Sequence, residues 1–351
     1  MLCRPRILCL LVLLLASGAA AGELPRIAIL ATGGTIAGAG GSAVADSYTA
    51  ARSTVDQLLA AVPQLATRAR VSGEQVAQVG SQAMTTEIWL TLARRINALF
   101  ADDAADGVVI THGTDTLEET AYFLDLVVAH DRPVVLVGSM RPATALSADG
   151  PRNLFDAVAV AASPAARGRG VLVVMNGEIH AARDVTKTNT VSLDTFRSPN
   201  LGPLGHVVGE AVRLVRTPGH VHTTASELRL GTRQALPRVE IVYGHASDSR
   251  LFVDAAVAAG VQGIVLAGVG NGNPFPDTQV ALADAVLKGV AVVRSSRVGA
   301  GPVVRNAEVD DDRLGFVVAD TLNPQKARIL LMLALTRAAD AKALQGFFDR
   351  Y

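Results

Sequence analysis

Cysteine is almost absent from this sequence, which has only two in 351 residues, Cys3 and Cys9. Both precede a run of small residues, Ala19 to Ala21, that is typical of a signal-peptide cleavage zone. Neither lies at the expected cleavage point, where a lipid anchor would require it. Since both leave with the signal, we expect the mature protein to have no disulfide, no thiol nucleophile and no cysteine-based metal site.

Long hydrophobic runs are also missing. The amino terminus has two basic residues, Arg4 and Arg6, followed by an apolar stretch from Ile7 to Leu15. This stretch is too short to cross a bilayer, which takes about 20 residues, and no later stretch is long enough either. We therefore predict that residues 1–22 are a cleavable signal peptide and that the protein is exported to the periplasm without a membrane anchor.

An excess of either charge is lacking as well. The chain has 32 lysine and arginine residues and 32 aspartate and glutamate residues. Loss of Arg4 and Arg6 with the signal leaves a net charge of −2 with histidine neutral. This balance gives no reason to expect nucleic-acid or membrane-surface binding as a main task. Half of the residues are apolar, which is enough to form the cores of two domains.

What the sequence does have is a regular alternation of short apolar runs with longer helical patterns. The strand-like runs are 27–31, 75–79, 107–110, 133–137, 170–175, 239–243, 263–267 and 291–295, and the helix-like runs are 86–100, 117–129, 153–162, 251–259, 278–287 and 323–336. Such alternation is typical of α/β folds with a mostly parallel sheet. We predict a larger N-terminal α/β domain (23–214), whose mostly parallel sheet is flanked by helices. A polar linker (215–237) and a smaller C-terminal α/β domain (238–351) follow.

Polar clusters follow three of the predicted strands in the first domain. Thr35 follows the paired glycines that end the first strand, Ser81 and Gln82 follow the second, and Thr114 and Asp115 follow the third. Glycines permit the tight turn and let a substrate lie close to the backbone. Because the carboxyl ends of parallel strands point the same way, we expect these side chains to converge on one crevice.

A threonine in such a crevice suggests nucleophilic catalysis. The free hydroxyl of Thr35 is a weak nucleophile, so it would need a neighbouring base and donors for an oxyanion. Tyr48, Asp115 and Lys187 are the available partners in this sequence. A partly desolvated lysine beside a carboxylate can deprotonate a hydroxyl or relay a proton. From the residues alone, a capping threonine and a solvated lysine remain open as alternatives.

Two long segments resemble the signatures of bacterial type II L-asparaginases. They are A-T-G-G-T-I-A-G at residues 31–38 and T-H-G-T-D-T-L-E-E-T at residues 111–120. Shorter matches follow the same order along the chain: G-S-Q (80–82), M-R-P (140–142), S-A-D-G-P (147–151), D-V-T-K-T-N-T (184–190), G-V-G-N-G-N (268–273), V-R-S-S-R-V (293–298), A-E-V-D-D (307–311) and T-L-N-P-Q-K-A-R (321–328). The resemblance covers essentially the whole mature chain.

The resemblance implies roles for particular residues. Thr35 matches the nucleophile, activated with Tyr48, and Thr114, Asp115 and Lys187 match a group that assists proton transfer. Ser81, Gln82 and Asp115 match the groups that hold the α-carboxylate and α-amino ends of the substrate, and the backbone near Ser139 and Thr114 matches the contacts to the amide and its oxyanion. Asn273 and Glu308 match residues that reach into the site of a neighbouring subunit. The implied catalytic set is Thr35, Tyr48, Thr114, Asp115, Lys187 and Glu308, and the implied substrate-binding set is Ser81, Gln82, Gly113, Ser139 and Asn273.

The resemblance also implies a reaction and an assembly. The expected reaction is hydrolysis of L-asparagine to L-aspartate and ammonia through an acyl-threonine, without metal or cofactor, in a homotetramer built as a dimer of dimers. Two departures from the family concern Ala83, where an acid or amide is common, and the absent disulfide, with His130 near one of its positions. Gln82 and Asn273 are the pair seen in asparagine-preferring members.

Other interpretations stay open. A broad glutaminase-asparaginase is the first alternative, and a periplasmic amino-acid binding protein, also two α/β domains behind a signal peptide, is the second. His112 suits a structural hydrogen bond better than a catalytic base. His220 and His222 suit exposed linker residues better than metal ligands, because no third ligand is near. The glycines of 268–272 lack the third glycine in register that a dinucleotide fingerprint requires.

Overall fold

A computed structural model describes residues 23–40, 48–49 and 53–351, with side chains described at all of these except 39–40 and 48–49. The predicted signal peptide, residues 1–22, lies outside the described residues, as do residues 41–47 of the loop after Thr35. Within the described ranges, no helix combines the length and the apolar character that crossing a membrane requires.

The N-terminal part of the chain forms an eight-stranded sheet with helices packed against it. Along the described residues, the strands of this part are β1 (Arg26–Gly33), β2 (Ala39–Gly40), β3 (Tyr48–Thr49), β4 (Arg70–Val79), β5 (Gly107–Thr111), β6 (Val134–Val137), β7 (Val171–Met175), β8 (Glu178–Ala181), β9 (Thr186–Lys187), β10 (Phe196–Arg197), β11 (Gly205–Val208) and β12 (Ala211–Leu214). Strands β2 and β3, and strands β9 and β10, pair with each other outside the large sheet. Its helices are α1 (Val55–Ala60), α2 (Thr86–Ala101), α3 (Leu117–Val127) and α4 (Gly150–Ala161).

The order of the strands in this sheet is β12-β11-β8-β7-β6-β5-β1-β4. The five strands from β7 to β4 run parallel, whereas β8, β11 and β12 extend the sheet in antiparallel fashion. Strand β1 lies between β4 and β5 and is buried along its length, as its apolar run predicts. The turns after β1, β4 and β5 therefore lie side by side at one edge of the sheet.

The C-terminal part forms a smaller sheet of four parallel strands in chain order. Its strands are β13 (Val239–Tyr243), β14 (Gly263–Gly268), β15 (Ala291–Ser296) and β16 (Val317–Val318), and its helices are α5 (Leu251–Ala258), α6 (Pro276–Leu287), α7 (Asp311–Leu314), α8 (Pro324–Ala334) and α9 (Ala341–Phe348). The predicted two-part α/β class is confirmed. Every run predicted as a strand or a helix corresponds to one in the structure, with ends that differ by a few residues.

Both faces of the second sheet are buried, because successive side chains along a strand pack into different hydrophobic clusters. Ile264 and Leu266 on β14 pack with α5 and α6, whereas Val265 between them packs into the core of the N-terminal part. Helix α8 contacts β13, β14 and β15 as well as α3 of the first part. One continuous hydrophobic cluster therefore joins both parts of the chain, and the buried residues of α8 belong to it.

The stretch predicted as a linker, 215–237, is packed on the first part. Leu228 and Leu230 are buried, and the Ser226 hydroxyl donates a 2.6 Å hydrogen bond to the carbonyl of Leu126 at the end of α3. His220 and His222 are half-buried, so the expectation that they are exposed is wrong. The domain boundaries themselves stay a prediction.

The antiparallel strand β8 is the main element that the sequence interpretation missed. It follows β7 through a two-residue turn, Asn176-Gly177, in which both residues have positive φ, 51° and 75°. Asn-Gly is the strongest short hairpin signal because both positions of a type I′ turn require that conformation. The dipeptide was therefore available as a signal for this hairpin.

Candidate active site

The turns after β1, β4 and β5 touch one another through their backbones. A Cβ built on Gly34 would lie 2.2 Å from the backbone nitrogen of Gly113, and a Cβ on Gly113 would lie 2.6 Å from the hydroxyl of Ser81. Only glycines permit these approaches, and Gly34 also has a positive φ of 81°. The structure thus brings together the Thr35, Ser81 and Thr114 loops, as expected from their positions at the ends of parallel strands.

Thr35 begins a short 3-10 helix, Thr35–Ala37, directly after this contact. The residue is buried. Its loop is tied to the neighbouring strands on both sides: the Gly34 N–H donates to the carbonyl of Val79, and the Thr32 hydroxyl donates to the carbonyl of Thr111, at 3.0 and 2.8 Å. These bonds hold the threonine against the ends of β4 and β5.

Lys187 joins Thr114 and Asp115 in one hydrogen-bonded group. Its Nζ donates to the Thr114 hydroxyl at 2.9 Å and to Asp115 Oδ1 at 2.8 Å. The Lys187 side chain is 19% exposed, whereas that of Asp115 is 59% exposed. An ammonium held between a buried hydroxyl and a carboxylate at solvent can pass a proton to or from that hydroxyl. The lysine lies more than seventy positions beyond its partners in the chain, so only the fold places it there.

Ser81 is fixed by the turn that bears Asp115. The backbone N–H of Asp115 donates to the Ser81 hydroxyl at 3.1 Å, and the Thr116 hydroxyl donates to the Ser81 carbonyl at 2.8 Å. Ser81 is buried, whereas its neighbour Gln82 is exposed and folds its side-chain amide back over Gly80. Of the residues predicted to hold the substrate's charged end, Gln82 and Asp115 are therefore exposed and Ser81 is buried.

Ser139 follows β6, the next strand of the sheet, and is fully buried. Its hydroxyl donates to the carbonyl of Arg141 at 2.8 Å. The preceding Gly138 packs tightly on the Thr114 turn, since a Cβ there would lie 2.8 Å from the carbonyl oxygen of His112. Backbone contacts thus connect the Ser139 loop and the Gly113 turn, both of which were predicted to bind substrate.

His112 is a structural hydrogen-bonding residue. Its Nδ1 lies 2.7 Å from the carbonyl oxygen of Gly113, which can only accept, so Nδ1 carries the proton. Its Nε2 then accepts from the hydroxyl of Thr120 at 2.8 Å, and that hydroxyl's oxygen accepts from the indole of Trp89 at 2.7 Å. Burial lowers the pKa of His112 to about 4. The imidazole is therefore neutral near pH 7, and both its nitrogens are occupied.

Asn273 and Glu308 lie in the C-terminal part and pair with each other. The amide of Asn273 donates to the carboxylate of Glu308, which is exposed. Within the described part of a single chain, the structure does not bring this pair into hydrogen-bonding contact with Ser81, Thr114 or Lys187. Their predicted role at a neighbouring subunit's site stays a prediction.

A buried ion pair that the sequence interpretation missed holds the two loops that bear Asn273 and Glu308. Arg294 and Asp311 are fully buried and form a two-pronged contact at 2.6 and 2.7 Å. Arg294 also donates to the carbonyl of Asn271, and Asp311 accepts from the backbone N–H of Asn306. An arginine inside an apolar strand is a usable signal, because charged residues are almost never buried unless they are paired.

Tyr48 belongs to β3, which pairs with β2 in a short antiparallel ribbon. Its side chain lies outside the described residues, so its predicted role with Thr35 stays a prediction. Among the described residues, no group of three or more His, Cys, Asp or Glu side chains is placed to hold a metal ion.

Comparisons with known proteins match the chain along almost its whole length. The family model for the N-terminal part of asparaginases matches residues 26–219, and that for the glutaminase/asparaginase C-terminal domain matches residues 238–348. An L-asparaginase 2 of Escherichia coli is 54% identical over 335 residues, which is 95% of each chain. A probable periplasmic L-asparaginase of Haemophilus influenzae is 51% identical and covers 98% of each chain. A glutaminase-asparaginase of Pseudomonas fluorescens biotype A is 51% identical over 94% of this chain and 91% of that protein. These matches confirm the resemblance found in the motifs, and the chain belongs to the asparaginase family of enzymes.

Proposed function

We propose that this enzyme hydrolyses the side-chain amide of L-asparagine to L-aspartate and ammonia, with Thr35 as the nucleophile. The observation that carries the proposal is that two threonine loops lie side by side at one edge of the sheet. Thr35 is buried at the end of β1, and Thr114 at the end of the adjacent β5 is hydrogen-bonded to Lys187, which also contacts Asp115. A nucleophilic hydroxyl needs such a proton-transfer group nearby.

The reaction takes place in two steps. In the first, the Thr35 oxygen forms a bond to the amide carbon, and its proton passes through the neighbouring groups to the amide nitrogen. The oxyanion is stabilised by the backbone N–H of Thr114. The carbon–nitrogen bond then breaks and ammonia leaves. In the second step water attacks the acyl-threonine, one of its protons returns to the Thr35 oxygen, and aspartate is released. The Lys187–Thr114 pair assists proton transfer in both steps, and Tyr48 assists at Thr35.

The proposed enzyme holds the charged end of the substrate with residues of the turns that follow β4 and β5. Ser81, Gln82 and Asp115 bind the α-carboxylate and α-amino groups, and the backbone near Gly113 and Ser139 binds the amide. No metal or cofactor takes part in the proposed reaction. The coupling of Ser81 to Asp115 through a 3.1 Å hydrogen bond supports this assignment, because it fixes the two binding groups relative to each other.

The proposed enzyme works in the periplasm as a homotetramer made of two dimers. Export removes residues 1–22, and Asn273 and Glu308 complete the site of a partner subunit. Two observations support this arrangement: a curated relative is named as periplasmic, and the Asn273–Glu308 pair lies in the C-terminal part of the chain with Glu308 exposed.

A glutaminase-asparaginase is the second candidate, because a relative with that name is 51% identical to this chain. Gln82 and Asn273 favour asparagine. One extra methylene is worth about 1–3 kcal/mol in a well-fitted pocket, or roughly 10–200-fold. We therefore expect kcat/KM for asparagine to exceed that for glutamine at least tenfold. Comparable values on the two amides would favour the second candidate.

Ammonia release by the purified mature protein, measured with asparagine and glutamine, tests the proposal. Thr35→Ala should bind asparagine and lower kcat by at least ~10³-fold, equivalent to about 4 kcal/mol in the barrier. Thr35→Ser, which keeps a hydroxyl, is the matched control and should retain measurable turnover. A Thr35→Ala protein with a kcat within about tenfold of wild type would contradict the assignment. Asparagine binding without ammonia release by the wild-type protein would indicate an amino-acid binding protein.

A further inference from the structure

The backbone of Lys187 is held by a buried carboxylate that lies outside the expected catalytic set. The N–H of Lys187 donates to Oε2 of Glu118 at 2.7 Å, and the Glu118 side chain is 3% exposed. Glu118 is in the first turn of α3, three residues after Asp115. A negative charge in the first turn interacts favourably with the helix dipole. The side chain of Glu118, however, points toward the strand that bears Lys187.

The other oxygen of Glu118 is bound from the C-terminal part of the chain. Oε1 accepts from the amide of Asn323 at 3.1 Å and from the amide of Gln325. Asn323 is also the N-cap of α8, since its side-chain oxygen accepts from the backbone N–H of Lys326 at 3.1 Å. Glu118 therefore joins the lysine-bearing strand to the first turn of α8.

A second buried charge holds the same segment from α8. Lys326 is fully buried, and its Nζ donates to the carbonyls of Arg183, at 2.8 Å, and of Val185. Three backbone groups, at residues 183, 185 and 187, are thus bound by two buried side chains. We call these two side chains, Glu118 and Lys326, the clamp. Burial lowers the pKa of Lys326 to about 8, which shows how strongly the site desolvates this amine.

Such buried charges are costly to desolvate unless hydrogen bonds compensate, so their placement demands a reason beyond packing. The Lys187 amine must stay within hydrogen-bond reach of the Thr114 hydroxyl, and displacing a catalytic group by about 1 Å can reduce a rate ~10²-fold. We propose that Glu118 and Lys326 are positioning residues that set the Lys187 amine against Thr114. The role in turnover rests on the function proposed above.

The packing of α8 against the N-terminal part therefore contributes to the geometry of the proposed active site. Half of the clamp comes from the C-terminal part of the chain, although Thr114, Asp115 and Lys187 all belong to the N-terminal part. A change that shifts α8 relative to α3 should therefore displace the lysine-bearing strand, because Glu118 lies on α3, Lys326 lies on α8, and both bind that strand or the segment before it.

A double-mutant cycle tests the kinetic part of the proposal. In Glu118→Gln only one side-chain oxygen remains, so either the Lys187 N–H or the amides of α8 lose their acceptor. We expect kcat for asparagine to fall about 10- to 100-fold with KM within about threefold. In a Lys187→Met background the same change should cost less than about threefold, because Glu118 acts through the lysine. Losses that multiply fully in the double mutant would overturn the proposal.

Matched variants separate positioning from folding. Glu119→Gln makes the same chemical change one residue further on, at a half-buried acid with no contact to Lys187 among the bonds described, and should keep wild-type kcat. If Glu118→Gln does not fold, Glu118→Asp replaces it, since its shorter side chain withdraws the carboxylate from the Lys187 N–H. The same kcat loss is expected from Lys326→Met, which removes the other half of the clamp.

A spectroscopic measurement decides the structural part without turnover. The chain has four lysines, Lys187, Lys288, Lys326 and Lys342, and NMR of protein labelled at lysine Cε resolves them, with Lys187 assigned from Lys187→Met. We expect Glu118→Gln to move the Cε chemical shift of Lys187 toward that of the exposed Lys288. An unchanged Lys187 signal would overturn the clamp. A wild-type protein that releases no ammonia would refute the proposed function, while this measurement would still decide whether Glu118 positions the lysine.

Discussion

Burial decides which single side chains can carry charge at the pH where the enzyme is expected to work. His112 is buried and neutral, and its two ring nitrogens hold the loop through hydrogen bonds to Gly113 and Thr120. The Lys187 side chain is 19% exposed and contacts both Asp115 and the Thr114 hydroxyl. The fold therefore encloses the one nitrogen-bearing side chain and leaves the other partly exposed to solvent.

Asp125 on α3 provides a test of this effect. Burial raises its pKa from 3.8 to about 7, and its Oδ1 accepts from the backbone N–H of Val171 at 2.7 Å. Between about pH 4 and 7 the folded protein binds a proton here that the unfolded chain has released, so the free energy of unfolding falls as pH rises through that window. Asp125→Asn keeps the acceptor without the charge. It should stabilise the protein by up to about 4 kcal/mol at pH 8, at ~1.4 kcal/mol for each pH unit between 3.8 and 7, and by clearly less at pH 5.

Urea unfolding at the two pH values measures this difference. The control is Asp131→Asn, since Asp131 forms an ion pair with Arg167 that lowers its pKa, and its removal should not stabilise the protein at pH 8. A stability change for Asp125→Asn that is the same at pH 5 and pH 8 would show that the carboxyl does not titrate in this window.

Among the elements, the turns at the ends of β1, β4 and β5 carry the geometry of the site. They are held by close backbone approaches as well as by side-chain hydrogen bonds, as the contact between Gly34 and Gly113 shows. The paired glycines in the Thr35 motif therefore have a specific steric reason. A larger residue would separate the β1 turn from the β5 turn.

Substitution of Gly34 tests this reason at the level of the turn. Gly34→Ala would place a Cβ 2.2 Å from the backbone of Gly113, so the two turns must separate, and we expect kcat/KM to fall at least ~10²-fold. Gly168→Ala is the matched control, because Gly168 has a similar φ of 69° but no atom within 4 Å of the added Cβ. It should lose about 1–2 kcal/mol of stability and keep its activity. Equal activity losses in the two variants would point to backbone strain and not to the close approach.

At the scale of the whole molecule, α8 packs against both parts of the chain. In the proposed assembly, contacts between subunits also contribute to each site. The Asn273–Glu308 pair is exposed on its Glu308 side and is held in place by the buried Arg294–Asp311 ion pair. A surface pair supported by buried charges is suited to a contact with another chain. In a two-fold dimer such a contact is reciprocal.

Mixed dimers test whether sites are shared. Thr35→Ala and Glu308→Ala chains with different tags are co-expressed, each being impaired alone. If each site takes Thr35 from one chain and Glu308 from the other, a mixed dimer has one site with both changes and one intact site. With random pairing about half of the dimers are mixed, so roughly a quarter of wild-type sites should work. Purified mixed dimers without activity would mean that each site is built within a single chain, and Glu308 would then leave the proposed catalytic set.

Local patterns were enough to predict eight of the strands and six of the helices, and to place the loops after β1, β4 and β5 at one edge of the sheet. The apolar runs of β1 and β5 and the glycines after them place Thr35 and Thr114 at one edge of the sheet, and this follows from strand direction alone. The motif resemblance identified the family, which the comparisons confirm. The Asn-Gly turn before β8 contained equally local information that the interpretation did not use.

The contacts that complete the site could not be predicted in this way. Glu118 looks like an ordinary first-turn acid, and Lys326 looks like a solvated helix residue. Both residues are buried and hydrogen-bond to the backbone of the segment around Lys187 because α3 and α8 pack against that segment. Likewise, Arg294 finds Asp311 seventeen positions away, inside the C-terminal part. The sequence by itself determined the elements, the order of the strand-end loops and the family, because these depend on short-range periodicity and motif spacing. The tertiary structure alone decided which charges are buried and what they hold, because that depends on packing between elements far apart in the chain.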